Sequence, residues 1–357
     1  MLRNTRLVSS LALIQVLSAH GLADDLGAKL KAHMAGVAVY GAFSGSVLVA
    51  KDGQIVLREA YGKANYELDV PNTVDTKFRI GSVTKQFTAM AIMILAEQGK
   101  IAVDDPVSKH LENSPVAWEK ITIRHLLNHT SGIPSYTSFP QMMTRTVRLP
   151  ATLDEVIASF NDKPLEFEPG ERFAYSNSAY IVLGKIIERA SGHDYATFLK
   201  RNIFEPLEMD DTGYDHNGAI LPRRAAGYSR TLVLLANAPY IDMSWPHAAG
   251  ALYSTVNDLS KWDQALLAGK LISPESYELM FTPGKASYGF GWFIRETDGH
   301  KEISHGGGIH GFQSSVIRYP DDKLVVIVLC NVVPTQVEKI SHELAKIALA
   351  GSDAKSE

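Results

Sequence analysis

Ser82 stands three residues before Lys85 in Phe78-Arg79-Ile80-Gly81-Ser82-Val83-Thr84-Lys85, just ahead of an apolar run, Phe87 to Leu95, that predicts a buried helix. A three-residue spacing on a helix puts both side chains on one face. A desolvated lysine there can accept the serine proton, because burial disfavours the charged ammonium. The start of the helix adds backbone N–H groups and a positive dipole end, which suit a developing oxyanion. The plain alternative is a serine that caps the helix beside a solvated lysine.

Two further groups could serve the same reaction. Tyr175-Ser176-Asn177 follows the turn Glu168-Pro169-Gly170-Glu171-Arg172. A tyrosine can relay protons where nearby cations stabilise its phenolate, and an asparagine can hold a substrate amide. Taken alone, this stretch also fits a turn with a packed aromatic. His305-Gly306-Gly307-Gly308 leads into a β-prone run. Its glycines allow close approach of backbone to a ligand, and one N–H could complete an oxyanion hole. Its bland reading is a glycine-rich turn.

The order of these three elements carries more than any one of them. Ser-x-x-Lys, then Tyr-x-Asn, then a basic residue with glycines at a late strand resembles the penicillin-recognising serine hydrolases. The pattern is most similar to the branch that holds class C β-lactamases, D-Ala-D-Ala carboxypeptidases and related esterases. His129-Thr130-Ser131-Gly132, Ser254-Thr255 with Asp258-Leu259-Ser260-Lys261-Trp262, and Tyr288-Gly289-Phe290-Gly291-Trp292 extend the resemblance over nearly all of the chain after its first residues.

The resemblance implies a β-lactamase/transpeptidase-like fold and a serine hydrolase that works through an acyl-enzyme, without a cofactor or a metal. It makes Ser82 the acylated nucleophile and Lys85 and Tyr175 the general base and proton relay; their order stays open, since coupled groups titrate together. It makes Asn177, His305, Gly307 and Gly308 substrate-binding residues, with His305 either tuning Tyr175 or contacting a substrate carboxylate and the N–H groups of Ser82 and Gly308 as the oxyanion hole. The β-lactamases of this type carry lysine where this chain has His305, which points toward the carboxypeptidase end of the family. A protonated His305 holding a substrate carboxylate would make activity fall as pH rises through about 6–7, where histidine titrates. A carboxylesterase and a non-catalytic penicillin-binding protein are the alternative functions. The substrate, whether a D-Ala peptide, β-lactam, D-amino-acid amide or ester, stays open, as does the oligomeric state.

Other patterns point elsewhere and fail on context. Gly306-x-Gly308-x-x-Gly311 matches a dinucleotide fingerprint, but a strand rather than a helix is expected after it. His125 and His129 have the spacing of zinc ligands on a helix, yet Leu126 stands where a metalloprotease needs glutamate. No Gly-x-Ser-x-Gly elbow is present. Glu168 and Glu171 flank Pro169-Gly170 and read as turn residues rather than as a catalytic base.

Positioning the three elements requires a scaffold built from both ends of the chain. Ser46–Ala50 and Gln54–Leu57 flank Asp52-Gly53, a strong two-residue hairpin signal. Ser315–Tyr319 and Leu324–Leu329 flank Pro320-Asp321-Asp322-Lys323 and form a second predicted hairpin. From Ile101 to Leu279 the chain reads as helix-rich, and Val337, Ile340, Leu344 and Ile347 share one face of a closing helix. The expected class is α+β: one antiparallel sheet from both chain ends, flanking helices and an inserted helical subdomain.

The 357 residues, 45% hydrophobic and 21% charged, suffice for one large or two modest domains. A net charge of -4 gives no field for nucleic acid, so a small-molecule or peptide substrate is expected. Arg3 and Arg6 before the apolar run Leu7–Ala19, with Gly21 and Ala23 after it, read as a signal peptide over residues 1–23. The expectation is an exported chain, periplasmic or extracellular, with no stable membrane insertion after cleavage. Cys330 is the sole cysteine, so no disulfide framework exists. One hydrolase domain over 24–350 and a disordered tail over 351–357 complete the expected organisation.

Overall fold

The structure is a computed structural model that describes residues 25–353 apart from 40–42 and 232–233. The expected signal peptide over 1–23 lies outside the described residues. Strands β1 (Gly45–Lys51) and β2 (Gln54–Tyr61) come from the front of the chain. Strands β3 (Phe293–Thr297), β4 (His300–Ile309), β5 (Phe312–Tyr319) and β6 (Leu324–Cys330) come from its end. They form one six-stranded sheet in the order β3-β4-β5-β6-β1-β2, antiparallel throughout.

Local sequence sets both hairpins. Asp52 and Gly53 take φ of 52° and 76°, so Lys51 pairs with Gln54 across a two-residue turn of the twist that favours hairpins. Pro320–Lys323 closes the second, with Tyr319 opposite Leu324. The central strand β6, Leu-Val-Val-Ile-Val-Leu-Cys, is buried along its whole length. Its side chains alternate between two cores: Val325, Ile327 and Leu329 on one face, Leu324, Val326, Val328 and Cys330 on the other.

The second of these faces is covered by helix α1 (residues 25–37), through Leu30 and Met34, and by the closing helix α5 (Val337–Asp353). On α5, Val337, Ile340 and Leu344 are buried and Ile347 packs against the same core. The helix runs to Asp353 and takes in the first three residues of the expected tail, while 354–357 lie outside the described residues.

The first face carries the helical insertion, including α2 (Thr84–Glu97), α3 (Asn177–Ser191) and α4 (Val256–Leu267). Every residue of α2 from Thr84 to Leu95 is buried, which is why that helix reads as apolar on all sides. It packs against α3 and is buried from its first turn, so its N-terminal turn is fixed in the interior.

A large-to-small change in this shared core tests how far it holds the sheet to the helices. Ile327→Ala removes a fully buried side chain from the helical face of β6. It is expected to cost about 2–5 kcal/mol in urea unfolding, with the cavity left behind as the variable part. A cost below about 1 kcal/mol would mean that this interface is not tightly packed.

Candidate active site

Ser82 sits in a short 3-10 turn, Gly81–Val83, that runs directly into α2. Its side chain makes no capping hydrogen bond, so the reading of Ser82 as a helix cap does not apply. The turn is pinned from three directions. Ile80 N–H donates to Leu252 O at 2.9 Å, Ser314 Oγ donates to Ile80 O at 2.7 Å, and strand β4 passes alongside.

Glycine is required where β4 meets this turn. A Cβ on Gly307 would stand 2.0 Å from Ile80 O, and one on Gly81, whose φ is +50°, would stand 2.8 Å from Gly308 N. The backbone of Gly307–Gly308 therefore lies against the turn that holds the serine.

Lys85 is fully buried. Its Nζ lies 3.1 Å from Ser82 Oγ, 2.8 Å from Asn177 Oδ1 and 2.8 Å from Ala249 O. Burial holds its pKa well below the usual lysine value of 10.5. In the neutral amine, the two N–H groups go to Asn177 Oδ1 and Ala249 O, leaving the lone pair for the Ser82 hydroxyl. Asn177 is oriented for this by its own Nδ2, which donates to Thr137 Oγ1 at 3.1 Å, and by its backbone N–H, which donates to Ser135 Oγ at 3.1 Å. Ser176, the residue before it, caps α3 by accepting from Ala179 N–H.

Tyr175 shares a hydrogen bond with Ser82 and lies with its ring centroid 4.8 Å from Lys85 Nζ. Burial raises its pKa well above 10, with the Ser82 bond opposing the shift in part. Tyr175 is thus a protonated phenol rather than the phenolate considered from sequence. Behind it stands His129, buried, with its ring centroid 4.2 Å from that of Tyr175. His129 Nδ1 accepts the Ser176 N–H at 3.2 Å. Burial, then the charges of Lys85 and His305, push its pKa well down, so it stays neutral.

His305 departs from expectation. It is only 3% exposed, and burial first, with Lys85 second, pushes its pKa down to about 3. Its Nδ1 lies 2.6 Å from Gly306 O, and since a carbonyl only accepts, the proton sits on Nδ1. Nε2 is then bare and accepts the Tyr288 hydroxyl at 3.0 Å. Both nitrogens are engaged within the protein, which leaves no N–H to clamp a carboxylate. The expected loss of activity through pH 6–7 from a protonated His305 is therefore withdrawn.

The remaining decoys resolve locally. His125 completes the capping box of the short helix Ile123–Leu127, its Nδ1 accepting from Thr122 N–H at 3.2 Å. Glu171 accepts from Glu168 N–H at 3.1 Å across the Pro169-Gly170 turn. Among the described residues, no cluster of three or more metal-ligating side chains forms, and no helix is long and apolar enough to cross a membrane.

Ser82, Tyr175, His305, Gly307 and Gly308 line one cavity of about 850 Å³. Its outer wall comes from Gln313 on β5 and from Thr335 to Lys339 at the start of α5. Ala249 O, Thr137 and Ser135 had no signal in the sequence, since a carbonyl acceptor and a positioning hydroxyl carry no motif. Tyr288 and His129 belong to stretches that mark the family resemblance, without a role attached.

The Beta-lactamase family model matches residues 26–350, and the chain belongs to that family. The chain is 34% identical over 310 residues to Penicillin-binding protein 4* of Bacillus subtilis, covering 81% of this chain and 68% of that one. It spans 61% to 68% of the length of several curated relatives. The penicillin binding protein of Bacillus halodurans superposes with a TM-score of 0.80 at 28% identity, over 88% of this chain and 99% of that one. A D-stereospecific amidohydrolase from Streptomyces sp. gives 0.74 at 28% identity, over 84% and 93%. The protein is a serine hydrolase of the β-lactamase-related type.

Two predictions follow from this geometry. Gly307→Ala must push β4 off the Ile80–Ser82 turn, and a shift of about 1 Å is expected to lower kcat/KM by about 10²-fold in a folded protein. Full activity in that variant would show that the close approach is not needed. A group with a pKa of about 3 stays neutral from pH 5 to 8, so His305 contributes no step to kcat/KM there. His305→Asn should keep the shape of the profile; a step near pH 6–7 that vanishes in the variant would contradict this.

Proposed function

We propose that this protein acts through an acyl-enzyme on an amide or ester carbonyl, most like a D-Ala-D-Ala carboxypeptidase or a D-amino-acid amide hydrolase. The observation that carries the reading is the buried Lys85 amine, aimed at Ser82 Oγ with its two N–H groups already taken. Ser82 Oγ attacks the carbonyl carbon while its proton passes to Lys85. The carbonyl oxygen becomes the oxyanion and meets the N–H groups of Ser82 and Gly308. Tyr175 gives its proton to the departing nitrogen or oxygen, and the Lys85 ammonium, 4.8 Å from the Tyr175 ring centroid, returns one to the phenolate. Water then attacks the acyl carbon as Lys85 takes its proton; the bond to Ser82 Oγ breaks, and Oγ takes that proton back from Lys85 as the acid leaves.

The choice of Lys85 as first acceptor rests on opposite effects of one cause. Burial favours the neutral form of both groups, which makes lysine a base and tyrosine an acid. The names of the relatives, penicillin-binding and D-stereospecific amidohydrolase, support the substrate class. A second reading, a carboxylesterase, is favoured by neutral His305, because no fixed cation stands there for a substrate carboxylate. Export by a leader over residues 1–23 is part of the proposal and is supported by its charge and apolar pattern.

The test is labelling with a fluorescent penicillin, followed by a panel of D-Ala-D-Ala peptides, D-amino-acid amides and short-chain esters. Stable labelling with peptide or amide turnover agrees with the proposal. Ester turnover with no labelling moves the assignment to the esterase. Ser82→Ala should lower turnover by about 10⁴-fold or more; retained turnover would end the mechanism.

A further inference from the structure

A second, smaller cavity of about 240 Å³ opens at the tip of the β4–β5 hairpin, beside the strand Phe78–Arg79 that leads into the serine turn. Its walls include Arg79, Arg224, Tyr240, His310 and Phe312. Between the two arginines sits Asp215, only 1% exposed. Its Oδ2 accepts from Arg79 Nε at 2.6 Å, and its Oδ1 accepts from Arg224 Nη1 at 2.7 Å.

One carboxylate against two guanidinium groups leaves one positive charge uncompensated. Each guanidinium donates a single nitrogen to Asp215, and among the described residues Arg79 Nη1 and Nη2, with Arg224 Nε and Nη2, have no hydrogen-bond partner. The Phe312 ring stands 5.9 Å from the Arg79 guanidinium carbon and walls one side. His310 lines the cavity as well, its ring close to the Pro239 and Tyr240 backbone. Asp242 accepts from the Tyr240 hydroxyl at 3.3 Å and from Ser244 N–H and Oγ at 3.0 and 2.7 Å.

Structural pairing alone would need one arginine for one aspartate. Two forked, pre-oriented guanidiniums at a cavity of this size match the geometry of a planar or tetrahedral oxyanion. We infer that this cavity binds a small oxyanion, a carboxylate or a phosphate group, on the unpaired edges of Arg79 and Arg224. This site is distinct from the acyl cavity and does not depend on the chemistry of Ser82. Because Arg79 is three residues from Ser82, an occupant there would also brace the segment that enters the nucleophile turn.

The test is a calorimetric titration of the full chain, and of Ser82→Ala, with inorganic phosphate and separately with acetate, at constant ionic strength. Saturable binding with a dissociation constant of about 1–10 mM is expected in both proteins. Arg224→Gln should weaken it at least about tenfold, by removing one fork. Crystals soaked in the same anion should place it between Arg79 and Arg224, a readout that does not require the variant to fold. No saturable binding up to about 50 mM, unchanged affinity in Arg224→Gln, or an anion seated elsewhere would overturn the inference. With the site in place, phosphate that raises KM while leaving kcat unchanged, in wild type but not in Arg224→Gln, identifies the occupant as a carboxylate of the substrate. An unchanged KM identifies a free anion.

Discussion

An amino group fully removed from water is costly to keep charged, and in an unpaired ion the penalty reaches several kcal/mol. The structure keeps Lys85 there by giving its Nζ two fixed acceptors, one on α3 and one on the chain at Ala249, and a hydroxyl as third neighbour. Everything around the nucleophile depends on that choice. The apolar length of α2 buries the lysine; α3 brings Asn177; the Tyr175 ring closes the side; and desolvation favours the neutral amine.

The same dryness sets the rest of the site. His305 and His129 stay neutral because burial disfavours the charged ring in each. Both rings therefore work as neutral hydrogen-bonding groups, with Tyr288 holding one and the Ser176 backbone binding the other. Close approach does the remaining work. Glycines at 81 and 307 let two backbone segments meet where any side chain would collide with a carbonyl or an amide.

Much of this was legible before the structure. The hairpin turns at Asp52-Gly53 and Pro320–Lys323, the all-round burial of α2 and the sheet built from both chain ends follow from turn chemistry and periodicity. Ser82, Lys85, Tyr175 and Asn177 stood out by residue type and order, and the structure brings them into contact. What stayed hidden were partners without side-chain identity, such as the Ala249 carbonyl, and hydroxyls such as Ser135 and Thr137 that act only through Asn177. His305 misled for a physical reason: residue type gives a solution pKa, whereas burial decides the charge. The Arg79–Asp215–Arg224 cluster was invisible because its members lie far apart in sequence.

The central claim is that Lys85 is a neutral amine, poised to take the Ser82 proton, at the pH where the protein works. Nitrogen-detected NMR on lysine-labelled protein reads this directly, with Lys85→Arg assigning the resonance. The account predicts a Lys85 side-chain nitrogen in the neutral amine range at pH 7, converting to ammonium only as the pH is lowered. A Lys85 signal that remains an ammonium at pH 7 and titrates near the ordinary lysine value would contradict it.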